Sequence, residues 1–80
     1  MTKLPIVSSK EVIEALKKAG FEYAPKRGKG SHIAMMRVEC GLSPKLVIIP
    51  HSKSLPKGTL RSILKQAGLR REEFIELLSR

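Results

Sequence analysis

Three segments of the chain have the apolar spacing of amphipathic helices. In residues 8–20 apolar side chains recur every three to four positions, and Ser8 followed by Glu11 is the pattern of a capping box. Residues 56–68 repeat this spacing between a proline, which suits a first helical turn, and a closing glycine. A shorter third helix is predicted over residues 71–78, with two glutamates near its positive end. The chain therefore begins and ends with helices.

Between the first two helices, three short segments are rich in β-forming residues. They cover residues 21–24, 31–38 and 46–49, and prolines follow the first and the third. The middle segment alternates, so its two faces carry different side chains, and the register decides which face is buried. One face carries Ile33 and Met35, and the other carries His32, Ala34 and Met36. Three successive short strands predict an antiparallel meander.

The predicted fold class is α+β, with the order α-β-β-β-α and an extra short C-terminal helix. A three-stranded antiparallel sheet buries one face under the helices and leaves the other open. Eighty residues suit one domain with a modest core, so residues 1–80 are expected to form a single domain. Double-stranded-RNA-binding domains have the same order of elements, but a fold by itself does not assign a function.

Charge is the strongest compositional signal. Lys and Arg total 16 against 7 Asp and Glu, a net charge of +9 that points to a polyanionic partner such as nucleic acid. Aromatic residues make up only 4%, which argues against binding by base stacking on aromatic platforms. The single Cys40 and the absence of a signal or membrane-spanning pattern predict a cytoplasmic protein with no membrane partner.

The cations concentrate in the middle of the chain. Residues 24–65 hold nine Lys and Arg against one acid, Glu39. This asymmetry predicts a phosphate-contacting surface built from the strand turns and the start of the second helix. Its candidate RNA contacts are Lys26, Arg27, Lys29, Ser31, Lys53, Lys57 and Arg61.

A histidine follows the cationic, glycine-rich turn. An imidazole can give or take a proton near neutral pH, so His32 beside phosphate-binding cations is a candidate general acid or base of a ribonuclease. From composition alone, a lone histidine on a strand is more often an ordinary surface or core residue. His51 is a secondary candidate, and a structural hydrogen-bonding role suits it better than catalysis.

Other chemistries find less support in the sequence. Two histidines, one cysteine and scattered acids do not form a metal-ligand spacing, and the glycines lack the Lys-Ser/Thr of a phosphate-binding loop. We therefore expect neither a metal nor another cofactor. No helix-turn-helix pair is recognisable, which disfavours direct DNA binding. A non-catalytic RNA-binding module with the same fold is the alternative to a ribonuclease.

Two segments resemble the HicA toxins of bacterial and archaeal toxin-antitoxin modules. Gly30-Ser31-His32 is similar to the Gly-Ser/Thr-His signature of that family, and residues 47–69 resemble its strand-to-helix segment. With residues 8–21 included, the resemblance covers nearly the whole chain. Residues 70–80 continue beyond the point where many members of the family stop.

The resemblance implies a specific activity and specific partners. It implies an mRNA interferase with a double-stranded-RNA-binding-like fold, in which His32 matches the catalytic histidine. It also implies a HicB-type antitoxin that covers the active face, and contact with operator DNA only indirectly, through the antitoxin complex. A catalytic His32 requires the open face, which places Ala34 and Met36 beside it and sends Ile33 and Met35 to the core.

Overall fold

The computed structural model describes residues 4–24, 32–38 and 44–80, which form three helices and one antiparallel sheet. The elements follow in the order α1 (Ser9–Lys18), β1 (Glu22–Tyr23), β2 (His32–Arg37), β3 (Lys45–Pro50), α2 (Lys57–Ala67) and α3 (Arg71–Ser79). The predicted α+β class and the α-β-β-β-α order with an added C-terminal helix are confirmed.

Helix α1 begins at the predicted capping box. The Glu11 amide donates to Ser8 Oγ at 3.2 Å, and the Ser8 amide donates to Glu11 Oε1 at 3.1 Å. Val7 and Val12 flank the cap and are both buried, as in a hydrophobic staple. Beyond the other end of the helix, Gly20 has a φ of +96°, a conformation that a side chain would strain. Local chemistry therefore defines both ends of α1.

The sheet has the strand order β1-β2-β3, with both pairs antiparallel. Met35 pairs with Val47 and is fully buried, and Ile33 pairs with Ile49 and packs against the core. His32 therefore lies on the opposite face, because neighbouring residues of a strand point to opposite sides. The predicted assignment of the two faces of β2 is confirmed.

The core lies between one face of the sheet and the helices. Burial of each large apolar side chain contributes roughly 1.5–3 kcal/mol relative to exposure, so this layer supplies the main stabilising term. Its largest fully buried side chains are Val12, Leu16, Met35, Val47, Ile49, Leu60, Ile63 and Phe74. Because the three described helices contribute to this layer alone, none of them covers the other face of the sheet, which we call the helix-free face.

Helix α3 is anchored to α1. Phe74 is fully buried, and the Lys18 Nζ of α1 donates to the carbonyl of Leu77 at 3.1 Å and to that of Arg80. The last turn of α3 has no basic residue of its own. Lys18 therefore supplies the positive charge that favours a helix C-terminus.

The strands differ from prediction at their ends. Strand β1 is shorter than residues 21–24, because the Phe21 amide donates to the Leu16 carbonyl at 2.9 Å and closes α1 instead of joining the sheet. Strand β3 is longer than residues 46–49 and includes Lys45 and Pro50. A proline is tolerated there because β3 is an edge strand, where one row of amides has no partner strand.

Across the residues that the structure describes, no helix is long and apolar enough to cross a membrane.

Candidate nucleic-acid interface

The candidate histidine stands at one end of the sheet. His32 is the first residue of β2, is exposed, and pairs with Pro50, the last residue of β3. It shares the helix-free face with Met36, Leu46 and Ile48 by the register of the strands. An imidazole in this position is open to a ligand that approaches the face.

The fold brings the second histidine to the same end. His51 directly follows Pro50, so its Cα lies within about 8 Å of the Cα of His32. His51 is also exposed, and within residues 4–24, 32–38 and 44–80 neither imidazole has a hydrogen bond or an ion pair. The structural hydrogen bonds predicted for His51 are therefore not found among these residues.

A buried serine holds the loop that carries His51. Ser9 is only 4% exposed, and both its amide and its hydroxyl donate to the Ser52 carbonyl, at 2.9 and 3.0 Å. In return, the Ser52 amide donates to Ser9 Oγ at 3.2 Å. The Leu55 amide also donates to the Val7 carbonyl at 2.8 Å. The loop between β3 and α2 is thus fastened at two points to the start of α1.

The other end of this loop is the start of α2, which has the features of an anion site. Pro56 precedes the helix without a side-chain cap, and no acid lies in the first turn. The space next to Gly58 is open among the described residues, since a Cβ at this position would meet no heavy atom within 4 Å. The first amides of a helix have no partner inside it and attract anions, and the exposed Lys57 adds a positive charge.

The predicted cations divide into two groups. Lys53, Lys57 and Arg61 are exposed on the loop and on α2, as a phosphate-contacting role requires. The other predicted contacts, Lys26, Arg27, Lys29 and Ser31, lie outside the described residues. The structure therefore places His32 and His51 at the same end of the sheet, and the loop that follows His51 leads to the start of α2. The cationic turn before β2 stays a prediction.

The helix-free face of the sheet is mainly apolar but less open than expected. Leu46 is 39% exposed, whereas Met36 is only half-buried and Ala34 is 3% exposed. Met36 stands between its cross-strand neighbours Glu22 and Leu46, whose side chains are close enough to cover part of it. The prediction that Met36 and Ala34 share the face of His32 is confirmed, but Met36 is only partly exposed on that face and Ala34 is buried.

Two positions on the outer edge of β3 offer no free amide to a further strand. The Ile48 amide, which points away from β2, donates to Gln66 Oε1 of α2 at 3.1 Å, and Pro50 has no amide hydrogen. Sequence patterns missed both Gln66 and Ser9. For Ser9, the only signal in the sequence is that it follows Ser8: the N-cap requires one serine, and the second is not explained by capping.

Comparison with known proteins identifies one family. Residues 9–69 match the family model of the HicA toxin of bacterial toxin-antitoxin systems. Among curated proteins, none matches the chain significantly. The matched range contains both histidines, the loop and α2, and it ends just before α3.

Proposed function

The chain belongs to the HicA family of toxins from toxin-antitoxin systems, and from this membership we propose that it is an endoribonuclease that cleaves mRNA, with His32 as general acid or base. The observation that carries the proposal is the exposed imidazole of His32 at the end of the sheet where the fastened loop of His51 leads to the open start of α2. A proton-transfer group and an anion site in one region are what phosphodiester cleavage needs.

The chemistry needs only proton transfers around one phosphate. The ribose 2′-hydroxyl attacks the adjacent phosphorus, its oxygen–phosphorus bond forms, and the bond to the 5′-oxygen breaks. A base accepts the 2′-hydroxyl proton, and an acid gives a proton to the leaving 5′-oxygen. The products are a 2′,3′-cyclic phosphate and a 5′-hydroxyl end. His32 is proposed for one of these transfers, and the nearby His51 is the secondary candidate.

Phosphate binding is proposed for the cations of the region. Lys53, Lys57 and Arg61 are exposed and lie on the loop and helix that follow His51. They neutralise the RNA backbone and the negative charge that builds on the phosphorane oxygens during the reaction. Lys26, Arg27, Lys29 and Ser31, which precede His32 in the chain, are proposed for the same role from sequence.

The proposed protein partner is a HicB-type antitoxin. A toxin needs an inhibitor that blocks its site, and the apolar face beside His32 offers Leu46 and the half-buried Met36 for such a contact. Operator DNA is proposed to be reached only through this complex, and the site of action is proposed to be the cytoplasm.

The test is cleavage of end-labelled single-stranded RNA in excess EDTA, with products resolved at nucleotide resolution. We expect the parent protein to cleave and His32→Ala to lose roughly 10²- to 10⁴-fold in rate, the usual contribution of a general acid or base. His51→Ala is the matched control, because it removes the other exposed imidazole of the same region. It should retain most of the activity.

Other outcomes contradict the proposal. Equal cleavage by parent and His32→Ala would assign catalysis elsewhere, with His51 as the next candidate. Tight binding without cleavage by any variant would indicate the non-catalytic RNA-binding module. Products with 5′-phosphate ends and a strict need for divalent metal would rule out attack by the 2′-hydroxyl.

A further inference from the structure

A second cationic region lies between α2 and α3. The two helices and the N-terminal segment enclose a groove of about 240 Å³, which we call the α2–α3 groove. Its apolar floor includes Leu64 and Leu69, and its charged lining consists of Arg61, Lys65, Arg70 and Arg71. Among the described residues no acid lines this groove, so four positive charges surround one concave surface.

The charges on α2 form a continuous stripe. Lys57, Arg61 and Lys65 recur at intervals of four residues, so they lie on one side of the helix about 6 Å apart along its axis. All three are exposed, and α2 contains no acid to pair with them. Like charges at this spacing destabilise a helix. The stripe therefore has an electrostatic cost that a bound polyanion would remove.

The stripe is separated from the helix-free face of the sheet. Gln66 lies next to Lys65 in sequence but is rotated about 100° around the helix axis, and it contacts the edge of β3. The cations thus point away from that edge. The stripe begins at Lys57 in the candidate interface and ends in the α2–α3 groove, where α3 adds Arg70 and Arg71.

The side chains, not the dipole of α3, supply the attraction in the groove. The Arg70 amide at the start of α3 already donates to Glu73 Oε1 at 3.1 Å, and Glu72 also lies in the first turn. These carboxylates complement the positive end of the helix. Arg61 and Arg70 belong to this lining, and the planar group of an arginine binds phosphate with two parallel hydrogen bonds.

We propose that the α2–α3 groove is a second phosphate-binding site, which holds the backbone of an RNA strand away from His32. A polymer with a phosphate at every residue fits a row of cations that begins at the candidate interface and extends along a whole helix. Only the choice of RNA as the polymer rests on the proposed function. Residues 70 and 71 lie beyond the family match of residues 9–69, so α3 adds half of this charged lining.

The experiment measures RNA binding by fluorescence anisotropy in the His32→Ala background, where cleavage does not interfere. One probe is a trinucleotide, too short to reach both regions, and the other is a long single strand. The test variant is Lys65→Gln with Arg70→Gln. The matched control is Lys10→Gln with Lys17→Gln, which removes the same charge from exposed positions of α1.

We expect the test variant to bind the long strand about tenfold more weakly or worse, because two charge-assisted hydrogen-bonding groups are lost. The slope of log affinity against log salt should fall by roughly 1.4, at about 0.7 per phosphate contact in a single strand. Trinucleotide binding should not change, and the control should lose much less affinity for the long strand.

Three results would overturn the proposal. Equal losses of RNA affinity in the test and control variants would show an effect of net charge alone. Equal losses of affinity for the trinucleotide and the long strand would show that the groove is not a separate site. Unchanged RNA affinity with weakened binding of the antitoxin would assign the groove to a protein partner. The two proposals can fail separately. A parent protein that does not cleave RNA can still lose long-strand affinity when the groove is changed. A protein that cleaves RNA but keeps its affinity after that change refutes only the proposed groove site.

Discussion

The starts of α1 and α2 both present backbone amides that have no partner inside the helix. They differ in whether side chains cap those amides. At α1, Ser8 and Glu11 satisfy one another's amides, and the Ser9 amide bonds to the Ser52 carbonyl. At α2, Pro56 offers no side-chain cap and the first turn contains no acid. Among the described residues, the start of α1 is capped by side chains, whereas the start of α2 has no side-chain cap.

This difference separates a helix start that stabilises the fold from one that is proposed to bind phosphate. The closed start of α1 stabilises the fold and fastens the loop of residues 51–56. Within the described residues, the start of α2 has no side-chain cap and carries the cation of Lys57, an arrangement that a bound anion would stabilise. Because one loop joins the two, order at the first helix positions the binding groups of the second.

The largest expected effect comes from breaking the hydrogen bonds between the start of α1 and the loop before α2. Ser9→Ala removes the hydroxyl that accepts from the Ser52 amide, and we expect the free energy of unfolding to fall by about 1–3 kcal/mol. Cleavage under conditions where the protein stays folded should fall as well, because the loop that carries Lys53 and leads to Lys57 loses a fixed point. Urea denaturation and the RNA cleavage assay measure the two effects.

The control for this change is Ser62→Ala, at an exposed serine of α2. It should alter the free energy of unfolding by less than about 0.5 kcal/mol, as surface substitutions usually do. A Ser9→Ala variant as stable and as active as the parent would show that the loop needs no such fastening.

An intermediate effect should follow from closing the start of α2. Pro56→Ser with Thr59→Glu recreates a capping box there, with the carboxylate in place of a bound phosphate. We expect RNA affinity to fall about tenfold, while the new cap stabilises the protein by roughly 0.5–1 kcal/mol. Anisotropy and thermal unfolding would measure this opposite pair of changes. Loss of affinity together with loss of stability would instead indicate a damaged helix.

The smallest effect is expected from opening the start of α1. Ser8→Ala removes the cap and should lower the free energy of unfolding by about 1 kcal/mol. RNA affinity of the folded protein should stay unchanged, because this helix start is not in the candidate interface. The same anisotropy assay measures this. A clear change in RNA affinity on Ser8→Ala would contradict the proposal that only the start of α2 contributes to RNA binding.

Much of the fold was predictable because its signals are local. Apolar spacing placed all three helices, the Ser8 and Glu11 pair placed the first cap, and alternation in β2 separated Met35 from His32. Strand ends were less predictable. The Phe21 amide could join either the sheet or the end of α1, and it donates to the Leu16 carbonyl of α1. The predicted cations of residues 26–29 lie outside the described ranges and remain sequence predictions.

The residues that sequence reasoning missed act over long distances along the chain. Ser9 and Ser52 are 43 positions apart, Lys18 and Leu77 are 59 apart, and Ile48 and Gln66 are 18 apart. No periodic pattern in the sequence indicates which distant group a serine, a lysine or a glutamine will bond. Only the packing of the helices on the sheet decides which donor meets which carbonyl.

The sequence by itself determined the elements, the two faces of the central strand and the positive charge, because helix caps, side-chain periodicity and composition depend on neighbouring residues. The family signature in residues 9–69 is equally a property of the sequence. Only the tertiary structure decided that His51 joins His32 and that Arg70 and Arg71 meet Arg61 and Lys65 in one groove. Their proximity depends on strand register and on how α3 docks, and both are settled by burial of the shared core.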